Sequence, residues 1–115
     1  MYVVIFRAIV RDLDEEYSRI AARMRALALS RYGCLGFQSV TEGRQEVSLS
    51  YWPSEDSIRA WKADPEHQLA QRLGSERWYE SYSVQVAELR REQREAGGGG
   101  HFDDRQPTSA AIEPE

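Results

Sequence analysis

The stretch YVVIFRAIV, Tyr2 to Val10, decides the fold. Successive strand side chains point to opposite faces. Val3, Ile5 and Ile9 therefore share one face, and Tyr2, Val4, Phe6 and Val10 share the other. Both faces are apolar, which predicts a central strand covered on both sides rather than one with a wet face. Arg7 interrupts the first of these faces.

Reading outward, Asp12 or Asp14 caps a helix whose first turn carries Glu15 and Glu16, where the helix dipole favours anions. Tyr17, Ile20, Ala21, Met24, Leu27 and Ala28 follow at helical spacing, Arg19, Arg23 and Arg25 lie off that stripe, and Gly33 stops the helix. Leu35–Thr41 and Gln45–Trp52 read as strands joined by Glu42-Gly43-Arg44, a hairpin signal with glycine free to take positive φ. Pro53 ends the second of these, and Ser54 caps a helix with Ile58 and Trp61 on its inner side. Asp64-Pro65 breaks that helix and starts another, which carries Leu69 and Leu73 and ends at Gly74. A last strand is predicted from about Tyr79 to Leu89.

The order β-α-β-β-α-β is the split βαβ, α+β ferredoxin-like arrangement. Right-handed crossovers place both helical regions on one face of a four-stranded antiparallel sheet. Helices on one face leave the other uncovered, yet the first strand is apolar on both. A second copy, sheet against sheet in a symmetric homodimer, is the expected cover.

Residues 1–95 form the expected domain, and 96–115, opening with Gly97–Gly100, an expected flexible tail with too little apolar surface to offset the entropy of ordering. The chain has 115 residues, 41% hydrophobic and 30% charged, with a net charge of −4. Three of those negative charges fall in the tail, so the domain is nearly neutral and carries no basic stripe for a phosphate backbone. The longest apolar run, Met1–Phe6, is too short to span a bilayer and lacks the flanks of a signal peptide. The expected setting is cytoplasmic, with neither nucleic acid nor membrane as partner. One cysteine, Cys34, excludes an intrachain disulfide and reads as a small apolar filler.

No standard catalytic motif is present, and two scattered histidines, His67 and His101, make no metal site. Aromatic residues crowd the second helical region: Tyr51, Trp52, Trp61, Trp78, Tyr79 and Tyr82. Trp61 reads either as core or as the wall of a pocket between helix and sheet. His67, in the first turn of its helix, is held neutral by the positive end of the dipole and can accept a proton, or else is a surface residue bonded to the adjacent turn. Arg7 must be paired, with Glu80 or Glu88 as candidates, or must contact something anionic. Arg72 is expected on the solvent side.

The strings Ser50-Tyr51-Trp52-Pro53-Ser54-Glu55, Ile58-x-x-Trp61, Asp64-Pro65-Glu66-His67, Gln71-Arg72-x-Gly74 and Trp78-Tyr79-x-x-Tyr82 together resemble the antibiotic-biosynthesis-monooxygenase family. The resemblance follows element order over residues 1–92 and is most specific over 50–82. It implies a ferredoxin-like protomer, a homodimer forming an α+β barrel, and a pocket in each protomer between sheet and helices. Some members resemble cofactor-independent monooxygenases acting on polycyclic phenols or quinols. Others degrade haem, but that branch's first-strand asparagine falls here at Arg7 and its haem-ligating histidine at Gln71.

The function so implied is oxidation of an aromatic phenol or quinol by O₂ with no cofactor. His67 is the expected proton acceptor. Trp61, Phe37 and Trp52 are the expected aromatic walls, though Tyr51 and Trp52 face opposite ways and only one can line the pocket. Arg7 or Tyr82 would steady the oxyanion. The alternatives are a non-catalytic small-molecule-binding or stress-response barrel, a haem-degrading enzyme, and a dimer whose pocket is filled by Trp61 and Met24.

Overall fold

The computed structural model describes residues 1–95; the expected tail from Ala96 lies outside the described residues. In chain order the elements are β1 (Tyr2–Val10), α1 (Glu15–Ser30), β2 (Gly36–Glu42), β3 (Gln45–Trp52), α2 (Glu55–Lys62), α3 (Pro65–Leu73), a π-helical turn (Gly74–Trp78) and β4 (Tyr79–Glu88). The strands form one sheet in the order β2-β3-β1-β4, with every neighbouring pair antiparallel. This is the α+β ferredoxin-like topology, with β1 central as its apolar composition requires.

Caps set the helix boundaries. Asp14, rather than Asp12, starts α1, its carboxylate accepting from the Tyr17 N–H at 2.8 Å. Ser54 caps α2 through the Ser57 N–H, and Asp64 caps α3 through the Glu66 N–H at 2.7 Å with Pro65 next in line. Gly33 turns the chain out of α1 at φ 78°, and Gly43 closes the β2–β3 hairpin at φ 61°.

The chain does not stop winding at Gly74, where the sequence predicts a helix end. Gly74 has ordinary helical dihedrals, and the helix widens into the π-turn, closed by the Tyr79 N–H donating to the Gly74 carbonyl. Packing explains the glycine: a Cβ there would sit 3.1 Å from the Tyr79 ring. The turn buries Trp78, whose carbonyl accepts the Arg11 N–H at 2.8 Å, so it is tied to the β1–α1 junction. Arg77 adds ion pairs to Asp14 at 2.6 Å and Glu16 at 2.9 Å.

The core lies between helices and sheet. Val4 contributes from β1, Met24, Leu27 and Ala28 from α1, Trp52 from β3, and Ile58 and Trp61 from α2, with Cys34 beside them. Trp52 is fully buried, and its indole N–H donates to Ser50 Oγ at 2.8 Å, so a large apolar group is enclosed with no stranded donor. On the opposite face Val3, Ile5, Ile9, Val47, Leu49 and Tyr51 are only partly buried, and Val40 is exposed. β4 is exposed along nearly its whole length: Tyr82, Val84 and Val86 point to the helix side by register yet remain exposed. Leu69 is exposed too, so its helix faces the core with fewer apolar residues than its spacing predicts. No helix of the described residues is long and apolar enough to cross a membrane.

Candidate active site

A cavity of about 160 Å³ lies between the helices and the helix-side face of the sheet. Its floor is built from alternate residues, Val4 and Phe6 of β1 with Glu46, Ser48 and Ser50 of β3, all on one face by strand parity. Ile20, Ala21 and Met24 of α1 and His67 and Ala70 of α3 roof it. An engineered apolar cavity of about this volume holds benzene, so the space suits one or two aromatic rings.

One end is aromatic. Trp61 packs on the buried Trp52 with ring centroids 5.1 Å apart, and the Phe37 ring meets it edge-on at 6.1 Å. The His67 ring also packs against Trp61, with centroids 4.2 Å apart. Burial of the imidazole penalises its charged form, and with the nearby Lys62 ammonium it lowers the His67 pKa from 6.5 to about 4, against the opposing pull of Asp64. The sequence reading attributes a neutral His67 to the helix dipole; burial is the leading cause. The Asp64 carboxylate accepts from the Tyr32 hydroxyl at 2.6 Å as well as from the Glu66 N–H, and these bonds hold its pKa below the usual carboxylate value.

The other end is polar. Glu46 is buried on the floor, its Oε2 accepting from the Tyr17 hydroxyl at 3.0 Å. Desolvation raises its pKa, opposed by hydroxyl contacts from Tyr17 and Tyr79. Trp78 stands edge-on to Tyr17 at 5.2 Å, and its indole N–H donates to Asp14. Tyr79 and Tyr82 flank Phe6 at 5.3 and 5.5 Å.

Three buried side-chain polar atoms among the described residues make no hydrogen bond of normal geometry: Glu46 Oε1, Trp61 Nε1 and His67 Nδ1. All three belong to residues lining this cavity. A buried polar atom without a partner costs about 1–3 kcal/mol, and native cores rarely keep them. All three face one space, where a bound molecule or ordered water can supply the missing partners.

Four of the expected site residues, His67, Trp61, Phe37 and Tyr82, meet in this cavity. Two do not. Trp52 lies behind Trp61, wholly enclosed, and supports the wall rather than forming it. Arg7 lies on the opposite face of β1, as its odd position requires, in a separate shallow depression with Ile9, Val47 and Ser83. There its guanidinium donates to Gln85 Oε1 at 3.2 Å, whereas Glu80 pairs with Arg44, so neither acid expected to neutralise Arg7 is its hydrogen-bond partner. Cys34 is buried, its Sγ 3.1 Å from the Gly36 carbonyl, with its thiol pKa raised by burial. Arg72 is exposed.

Sequence reasoning missed Glu46 and Tyr17 as site residues. Parity was the available signal, since Glu46 lies six residues before Trp52 and so shares its face. Tyr17 stands on the α1 stripe as an apparent core residue, and only the tertiary contact shows where its hydroxyl goes.

Fold and cavity together define a ferredoxin-like α+β domain with an aromatic-walled pocket between sheet and helices. Residues 1–73 match the model of the family described as antibiotic biosynthesis monooxygenase. The chain belongs to that family. It is 41% identical over 92 residues, 79% of this chain and 81% of the relative, to "Uncharacterized protein YqjZ" of Bacillus subtilis strain 168. Among solved structures it resembles SnoaB, a cofactor-independent oxygenase from Streptomyces nogalater, in its N63A mutant form, with a TM-score of 0.69 and 16% identity over 82% of this chain and 97% of that one. It is similar as well to Rv0793 from Mycobacterium tuberculosis, with a TM-score of 0.69 and 17% identity over 79% of this chain and 96% of that one. At these identities the structural likeness concerns the fold.

Proposed function

We propose that this protein is a cofactor-independent monooxygenase that oxidises a small phenol or quinol with O₂, working as a homodimer. The observation that carries this reading is the pair of unpartnered atoms at the aromatic end, Trp61 Nε1 and His67 Nδ1. A single phenolic hydroxyl complements both: its oxygen accepts from the indole N–H, and its proton is offered to the imidazole nitrogen. Phe37 and Trp61 supply a wall against which the ring stacks, and Tyr82, at the Glu46 end by register, can meet negative charge that the phenolate delocalises across its ring.

The chemistry balances without a further reductant. A phenol gives up its proton to His67, the phenolate transfers an electron to O₂, and recombination forms a ring C–O bond. Loss of water from the resulting hydroperoxide leaves a quinone, so phenol plus O₂ becomes quinone plus water. His67 returns its proton to the peroxide anion to make that hydroperoxide, and as the O–O bond breaks the hydrogen of the attacked ring carbon leaves as a proton with the departing hydroxide, making the water. The apolar lining serves this sequence by excluding water from the radical pair.

Magnitudes set the substrate class. With His67 at about 4 and a simple phenol near 10, full proton transfer is uphill by about 8 kcal/mol before the new ion pair is counted. The phenolate formed beside the imidazolium offsets part of that, and phenols already acidified by conjugation need less. Oxygen uptake by purified protein with a panel of phenols, naphthols and quinols tests the reading. The expected result is uptake above autoxidation, greatest for the more acidic phenols, and reduced by at least about 10²-fold in His67→Ala. Uptake equal to autoxidation throughout would overturn it.

The homodimer is supported by the apolar half of the sheet that the helices leave open, Val3, Ile5, Ile9, Val47, Leu49 and Tyr51, which matches itself across a two-fold axis. A monomer in equilibrium sedimentation at micromolar concentration would remove this part. A cytoplasmic setting accords with the single free, buried Cys34.

A further inference from the structure

The aromatic end of the cavity accounts for two of the three unpartnered atoms; the third, Glu46 Oε1, stands at the other end. A carboxyl buried to 4% exposure on the floor of an apolar cavity is costly, and the fold relieves the cost only in part, through hydroxyl contacts from Tyr17 and Tyr79. Tyr17 occupies Oε2 and leaves Oε1 without a bond of normal geometry. The two ends are well separated. Phe37, against Trp61, pairs in register with Ser50, and Glu46 lies four residues further along β3, a backbone rise of about 13 Å. Side chains reaching inward from both ends shorten that span, and a cavity of about 160 Å³ between them is sized for a small aromatic molecule.

We propose that Glu46 is a specificity-determining residue that binds a second oxygen of the substrate, so that the preferred ligand is a two-ring aromatic with a hydroxyl at the Trp61–His67 end and a hydroxyl or carbonyl oxygen at the other. This deepens the reading of the same pocket as a phenol site and rests on it. Because Tyr17 donates to Oε2, a proton on the carboxyl sits on Oε1 and is offered to a carbonyl; without it, Oε1 accepts from a hydroxyl. A bond to a carbonyl conjugated with the phenol also makes the phenol more acidic, which helps the weakly basic His67.

The test is anaerobic tryptophan-fluorescence quenching with naphthol, its dihydroxy isomers, and a hydroxytetralone whose two oxygens lie at opposite ends. Wild type, Glu46→Leu and Glu46→Gln are compared, each checked for a native circular dichroism spectrum. In wild type, at least one two-oxygen ligand is expected to bind about tenfold more tightly than naphthol, the hydroxyl and carbonyl arms showing which oxygen is preferred. Glu46→Leu should abolish that preference, bringing the two-oxygen ligands to the same affinity as naphthol, and Glu46→Gln, which keeps a polar amide in the same volume, should retain part of it. A preference in Glu46→Leu equal to that of wild type, or none in wild type, would overturn the role of Glu46 while leaving the phenol pocket standing. Quenching by none of these compounds would overturn both.

Discussion

The two faces of β1 differ in what they ask of their neighbours. On the even face Val4 is buried and Phe6 lines a cavity, beneath helices that carry Trp61 and His67. On the odd face Val3, Ile5 and Ile9 are partly open, and Arg7 reaches no further than Gln85. Yet the two faces are almost equally apolar in sequence. Hydrophobicity alone therefore identifies a strand that wants cover on both sides, and says nothing of which side holds a solid core, a hollow one or a partner. The distinction comes from what is opposite: α1, α2 and α3 stand over the even face, and the other is left without helices.

Removing the anchor of the covered face should have the greatest effect. Trp52→Ala is expected to cost about 3–5 kcal/mol in chemical denaturation, since it empties a fully enclosed site, whereas Trp61→Ala, with the cavity on one side, should cost less and abolish aromatic-ligand quenching. Equal losses would mean that the cavity collapses around Trp61 and that the covered face is solid.

Next in size is an acid response. His67 takes up its proton only near pH 4 in the folded chain, against about 6.5 unfolded, so its contribution is fully present above 6.5 and is lost as pH falls from 6.5 to 4. The loss should approach about 3 kcal/mol, and His67→Gln should remove it. Glu46 acts with the opposite sign: its raised pKa favours the protonated folded form, so its contribution is lost as pH rises through the ordinary carboxylate value. Asp14 and Asp64, with lowered pKa values, weaken the fold only below that window. Denaturation midpoints of wild type and His67→Gln at pH 7, 5.5 and 4 would separate these contributions, and parallel curves would show His67 to be solvated.

On the open face, Leu49→Glu should weaken self-association by at least about tenfold in sedimentation while changing ligand quenching little, because like charges would face each other across the symmetric surface. The smallest effect is expected from Arg7→Gln, within about 0.5 kcal/mol of wild type and with unaltered quenching. Loss of ligand binding in Arg7→Gln would erase the distinction between the faces.

Much of the fold was legible because its signals are local. β1 and β3 have the bounds their alternation predicts, and Ser54 and Asp64-Pro65 start the helices they mark. Gly74 misled because its role is close packing against Tyr79 and not a reversal of the chain, a distinction invisible without the ring above it. The site was legible in proportion to how conspicuous its residues are. Trp61 and His67 stand out by type and position, whereas Glu46 looks like any charged residue near a hairpin until strand register turns it inward.

The order of elements, their caps and turns, and which residues of each strand share a face follow from contacts within a few residues along the chain, and so are readable before any fold is known. Packing between distant segments is what turns Arg7 away from the cavity, sets Trp52 behind its wall, and leaves polar atoms of Glu46, Trp61 and His67 unmet around one space. Burial and hydrogen bonding are properties of what lies opposite a residue. The side chains opposite Glu46 and His67 come from segments as far away as α1, where distances along the chain no longer say who is near whom.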